Sequence, residues 1–146
     1  MPETCKKIED DPVNHPSHYC KPGQLECIEK MEAAFGIAFV RHFCLLNAFK
    51  YVERCQDKDN FKQDIKKAIW YLKRVASYFD DDGNLTSWIK LGLTNYIKDC
   101  ECLYAAKLEI TRIQLGNDEE LMHIGSAIAY LEKTINNDKI GENLED

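Results

Sequence analysis

Proline and glycine are scarce in this chain: 146 residues hold four prolines and seven glycines. Such a composition excludes a collagen-like or low-complexity polymer. Long apolar runs are missing as well. Segments such as Ile37 to Phe39 and Phe43 to Leu46 are broken by Arg41, His42, Asn47 and Lys50, well short of the roughly 20 apolar residues that cross a bilayer. No membrane span is expected. The opening Met1-Pro2-Glu3-Thr4-Cys5-Lys6-Lys7 turns acidic without the apolar core and cleavage site of a secretory signal, so a cytosolic location is expected. Basic residues are in no excess either: 19 Lys and Arg against 25 Asp and Glu leave a formal net charge of -6. A general binder of duplex nucleic acid needs a basic face. That class is excluded, while small anionic ligands stay open wherever lysines and arginines gather locally. No segment alternates polar and apolar residues with a period of two, the mark of a half-buried strand. The chain is therefore expected to be all-α.

With 45% hydrophobic residues, the length suits one ordinary domain, burying roughly 70% of the surface of its unfolded chain. Seven cysteines form an odd set, and several fall in apolar helical stretches, where a thiol behaves as a small hydrophobe. Two readings follow. Either the thiols are free and buried in a reducing compartment, or His15-x-x-His18-x-Cys20 with Cys27 offers four soft ligands to zinc. Against zinc stand a spacing that fits no common finger and the stiff Pro16 and Pro22.

Residues 1–24 collect the prolines together with Asp, Asn, Ser and Gly in turn-forming combinations, and read as an N-terminal loop. Residues 25–79 read as a helical core. A short helix runs from Glu26 through Ile28, Met31, Glu32 and Phe35 to a stop at Gly36. A second spans Ile37 to about Cys55, and a third, after Asp57-Lys58-Asp59-Asn60, spans Phe61 to about Phe79. The last two form a hairpin. The third is amphipathic, with Phe61, Ile65, Ala68, Ile69, Leu72, Val75 and Ala76 on one side and Lys62, Lys66 and Lys73 opposite. Residues 80–85 read as a linker and 86–136 as a C-terminal helical pair. Its first member is a long helix capped by Thr86 or Ser87 and running through Trp88, Leu91, Tyr96, Leu103, Leu108 and Ile113 to Gly116-Asn117. Asp118 caps the second, which ends near Ile135, and 137–146 form a frayed acidic tail.

At ~100° per residue, Phe39, Phe43, Asn47, Lys50 and Arg54 share one strip of the second helix, with Leu45, Phe49 and Val52 opposite. This helix is apolar almost all round and is expected to be central. Burying Lys50 and Arg54 without anions costs several kcal/mol, so carboxylates of the chain or a bound anion must meet them. On the third helix Asp64, Lys67, Tyr71, Arg74 and Tyr78 border the apolar stripe. Facing edges of the hairpin would make a cleft. It would hold cations for phosphate, aromatic faces for a base, Asn47 for a hydrogen-bonding edge, and Asp64 for magnesium or a hydroxyl. The rival reading is plain structure, with Asp64, Lys67 and Arg74 as surface ion pairs and the aromatics as core. Trp70, on an otherwise charged face, points to a subunit contact or a ligand. In Asn14-His15-Pro16-Ser17-His18-Tyr19, His18 and Tyr19 either pin the loop onto the hairpin, or His18 meets phosphate or moves a proton near neutral pH.

A resemblance adds to this reading. Asp11-Pro12-Val13-Asn14-His15-Pro16-Ser17-His18-Tyr19, Gly23, Glu26-Cys27-Ile28-Glu29, Asn47-x-x-Lys50-Tyr51-x-x-Arg54 and Asp64-x-x-Lys67-Ala68-x-x-Tyr71-Leu72-x-Arg74 closely resemble the SaV-like family of small phage proteins, over about residues 11 to 75. That family includes a coliphage nucleotide kinase that phosphorylates deoxynucleoside monophosphates without a Walker motif, and a staphylococcal phage growth inhibitor. The resemblance implies an all-α, oligomeric nucleotide-binding protein of the host-cell cytoplasm, acting as a deoxynucleoside monophosphate kinase. Lys50, Arg54 and Asp64 are the expected catalytic group. Asn14, His15, His18, Tyr19, Asn47, Tyr51, Lys67, Tyr71 and Arg74 are the expected nucleotide-binding positions, and Asp64 with Glu26 the expected magnesium ligands. Lys50, Arg54, Lys67 and Arg74 would hold phosphates and neutralise charge in the transition state.

No Gly-x-x-x-x-Gly-Lys-Ser/Thr loop is present, so a P-loop kinase is excluded. Three rivals keep part of the same reading. A non-catalytic binder that sequesters a nucleotide or nucleotide-derived signal, as an anti-defence or host-inhibition factor, uses the same cleft without chemistry. A MazG-type pyrophosphohydrolase needs paired acidic motifs; Glu26-x-x-Glu29-x-x-Glu32 offers the first, and no Glu-x-x-Asp follows on the next helices. A host-protein inhibitor needs no small ligand at all.

Overall fold

The first helix begins where two glutamates cap each other. Glu26 and Glu29 form a capping box ahead of α1 (Cys27–Phe35), in which Glu29 accepts from the Glu26 N–H at 3.2 Å. The computed structural model describes residues 26–57, 60–78, 82–94, 101–113 and 119–144. Gly36 closes α1 and opens α2 (Ile37–Arg54) with φ at 93°, a left-handed conformation that a Cβ disfavours. One residue thus turns the chain between two helices.

A 3-10 turn (Cys55–Asp57) leads from α2 toward α3 (Phe61–Ala76), and the two helices pack as the expected hairpin. The α2 side of the seam is narrow: Val40, Cys44, Ala48 and Val52 recur every four residues and are buried. Small side chains there bring α2 close to the broad stripe of Ile65, Ala68, Ile69, Leu72, Val75 and Ala76 on α3. Beyond the hairpin follow α4 (Asp82–Thr94), α5 (Cys102–Arg112) and α6 (Glu120–Leu144). Helix α6 packs on α3, α4 and α5, and α5 also reaches α2. Ile110, Ile113, Ile124, Ile128, Leu131 and Ile135 merge with the hairpin residues into one core.

All the described elements are helical, as the composition and periodicity predict. The C-terminal part differs in three ways. The long fourth helix is two helices, α4 and α5, each laid on α6, so one apolar period carried through two consecutive segments reads as a single rod. Helix α4 begins at Asp82, which makes 82–85 helical rather than linker and puts Thr86 and Ser87 inside the helix, not at its cap. Helix α6 continues past Ile135 to Leu144. Asp118 and Gly116-Asn117 lie outside the described residues.

Helices α4 and α6 meet at glycines. A Cβ on Gly92 would stand 2.6 Å from Ala129 Cβ, and one on Gly125 would stand 2.5 Å from Trp88 Cβ and 3.2 Å from the Ile89 nitrogen. Gly92 therefore serves close approach rather than helix termination. Ion pairs among the described residues tie the halves together: Arg41 of α2 with Glu120, which is 1% exposed at the start of α6, and Lys107 of α5 with Glu53 of α2.

Candidate functional site

Lys50, Tyr51 and Arg54 sit on the last two turns of α2, across the hairpin from Lys67 and Tyr71 on α3, with Asp64 three residues before Lys67 on the same helix. Tyr51 and Tyr71 stack across the hairpin, with ring centroids 5.9 Å apart and planes 12° off parallel. Phe43 meets the Tyr71 ring edge-on at 6.1 Å and Trp70 does so at 5.1 Å. Trp70 is therefore part of an aromatic cluster rather than an isolated ring on a charged face.

The cations converge on the other ring. Lys50 Nζ lies 4.6 Å from the Tyr51 centroid, Lys67 Nζ 5.4 Å, and Arg54 Cζ 5.5 Å. These distances are within the range of cation–π attraction. Three like charges around one ring repel one another, and no carboxylate forms an ion pair with any of them among the described residues. Arg54 Nε is buried without a hydrogen-bond partner among those residues, as is Asp64 Oδ2. Asp64 is 4% exposed, so an unsatisfied carboxylate oxygen there carries a desolvation cost. Asn47 spends its Nδ2 on the Phe43 carbonyl at 2.9 Å and keeps its amide oxygen as an acceptor.

Arg74 has a different setting. Its Nη2 donates to Glu32 Oε1 at 2.5 Å, and Tyr78 Oη donates to the same oxygen. The guanidinium of Arg74 and that of Arg41 lie over the Tyr78 ring at 5.6 and 5.9 Å. Burial alone would lower the Arg74 pKa, but the hydrogen bonds with Glu32 and Tyr78 outweigh it and push it up. Burial and the Glu32 bond push the Tyr78 phenol up against the opposing pull of Arg74. Cys44, fully buried beside this network, is pushed up to about 12, first by burial and then by Glu32, with Arg74 opposing. It remains a thiol, and Cys44, Cys55 and Cys102 all behave as buried hydrophobes.

A family model described as a protein of unknown function (DUF3310) matches residues 13–73. No curated protein and no solved structure matches the chain. The matched stretch contains α1, α2 and most of α3, and so contains the whole Tyr51 cluster.

Of the residues singled out from the sequence, the structure brings together Lys50, Tyr51, Arg54, Lys67 and Tyr71. Arg74 is drawn into the Glu32 pair instead. Glu26 serves the capping box with Glu29, and Glu32 serves Arg74 and Tyr78, so all three members of the Glu26-x-x-Glu29-x-x-Glu32 series have structural work. Among the described residues no three His, Cys, Asp or Glu side chains form a metal-binding group. Asp64 is the carboxylate there whose buried, unpartnered oxygen suits a cation. Asn14, His15, His18 and Tyr19 lie outside the described residues, as does the zinc set apart from Cys27, which is exposed on the first turn of α1. Sequence reasoning missed the Arg41–Glu120 and Arg74–Glu32–Tyr78 contacts, whose partners are too far apart in the chain to signal each other.

Proposed function

We propose that the Tyr51 cluster binds the phosphates of a nucleotide and that the protein is a phage deoxynucleoside monophosphate kinase that works without a P-loop. The observation that carries this reading is the convergence of Lys50, Arg54 and Lys67 on Tyr51 with no carboxylate paired to them among the described residues. A phosphate group supplies the missing negative charge and accepts their hydrogen bonds. The resemblance to the SaV-like family supplies the reaction class. Lys50, Arg54 and Lys67 neutralise charge on the transferring phosphoryl group, and the neighbouring aromatic rings keep water from it. Magnesium would add positive charge against the phosphates, and Asp64 is the residue that would hold it. Incubation with ATP, magnesium and each deoxynucleoside monophosphate should yield the diphosphate for at least one base, with loss of turnover in Lys50→Ala. Absence of diphosphate with every monophosphate removes the kinase reading.

A second reading, a binder that sequesters a nucleotide or nucleotide-derived signal, is favoured by the commitment of Glu26 to its helix cap, which leaves Asp64 without its expected partner carboxylate. Calorimetric binding of a nucleotide recovered unchanged would select it over the kinase.

A further inference from the structure

Two acids stand within one helical turn of the cations around Tyr51, and neither closes the cluster. Asp64 precedes Lys67 by three residues on α3 but is buried, and the two form no ion pair. Glu53 follows Lys50 by three residues on α2, a spacing at which opposite charges on a helix meet. Its carboxylate pairs instead with Lys107 of α5. The Glu53 side chain is 56% exposed, so nothing in the packing forces it toward either lysine. Lys107 follows the buried Ala106 on a helix that packs on both α2 and α6, and this packing brings its ammonium to Glu53. Lys107 also lies outside the matched residues 13–73. The second half of the chain thus reaches the charge balance of a cluster that the first half builds.

We propose that Lys107 is a positioning residue for the anion site at Tyr51: by holding Glu53 against α5 it keeps that carboxylate off Lys50 and away from an incoming phosphate. The inference rests on the phosphate reading of the cluster. A carboxylate on Lys50 would cancel one of the three gathered charges and would repel a phosphate at short range. Paired with Lys107, the same acid sits beside an opposite charge, and the field of such a pair falls off faster with distance than that of either charge alone. An exposed ion pair of this kind stabilises a fold little. Its effect here is to decide where the acid stays, and so how many cations remain for a ligand.

Calorimetric titration of the full chain with inorganic pyrophosphate tests this, in a low-salt buffer where exposed charges are little screened. Lys107→Met, which keeps an apolar stem, should weaken binding about fivefold with helical circular dichroism unchanged. Lys107→Arg, which can still hold the acid, should bind as the wild type does. Glu53→Gln should change the affinity by less than about twofold, because an acid already paired takes little from the site. The double variant Lys107→Met/Glu53→Gln should regain the wild-type affinity. A lysine acting only by long-range attraction predicts a different pattern, in which Glu53→Gln strengthens binding as much as Lys107→Met weakens it. That pattern, a double variant as weak as Lys107→Met, or a Lys107→Met variant that binds like the wild type overturns the proposal and leaves the phosphate reading standing. A wild type that takes up no pyrophosphate removes that reading, and the inference with it.

Discussion

Two tyrosines of the hairpin gather cations, and their surroundings are opposite. Around Tyr78, Arg41 and Arg74 each have a carboxylate, Glu120 and Glu32 respectively. Around Tyr51, Lys50, Arg54 and Lys67 have none among the described residues. The first cluster is closed: its charges cancel within the fold and its arginines hold helices together. The second is open, and its charges remain to be balanced by something else. Cation–aromatic geometry alone does not separate structure from binding, whereas the presence of the counter-ion does.

The largest effect should come from opening the closed cluster. Glu120→Ala takes from Arg41 the buried carboxylate that ties α2 to the start of α6, and the loss should be about 3 kcal/mol, read from the midpoint of urea unfolding at constant slope. Next comes the open cluster, where the same truncation should do the reverse. Lys50→Ala or Lys67→Ala should leave unliganded stability within about 0.5 kcal/mol, because a like-charge neighbour is removed. It should also abolish the gain of about 2.7 kcal/mol expected when a binding nucleotide is present at a hundredfold its dissociation constant. Thermal unfolding with and without a nucleotide panel measures both. A stability loss at Lys50 comparable with that at Glu120 would break the distinction.

The smallest effect is a pH dependence at the edge of the closed cluster. Cys44 is raised from 9.0 to about 12 in the fold, so its contribution is complete below the unfolded value. That contribution is lost as the pH rises from there through the folded value, since the unfolded thiol ionises first. Unfolding midpoints between pH 8 and 10 should fall less steeply in Cys44→Ala than in the wild type.

Much of this molecule was readable in advance where local signals suffice. Gly36 marks a helix end because the conformation it adopts is one a Cβ disfavours, and the α3 stripe predicts which side chains are buried. The second helix shows where local reading stops. Its aromatic residues suggested a central helix, yet the core takes Val40, Cys44, Ala48 and Val52 and leaves Phe39 and Leu46 in solvent. Apolar content all round a helix does not say which arc meets the partner. The site behaves similarly. Lys50, Arg54 and Lys67 were paired by helical geometry across a short turn, but the diversion of Arg74 depends on Glu32, on a different helix.

The Arg41–Glu120 bond also limits how the chain can be cut. Residues 13–73 look like a portable cassette, but their guanidinium at Arg41 finds its acid far downstream, and the stripe of α3 is roofed by α6. A transplant of the cassette alone would give up that bond and carry one oily flank with no cover, so the host would have to supply both an acid and a roof.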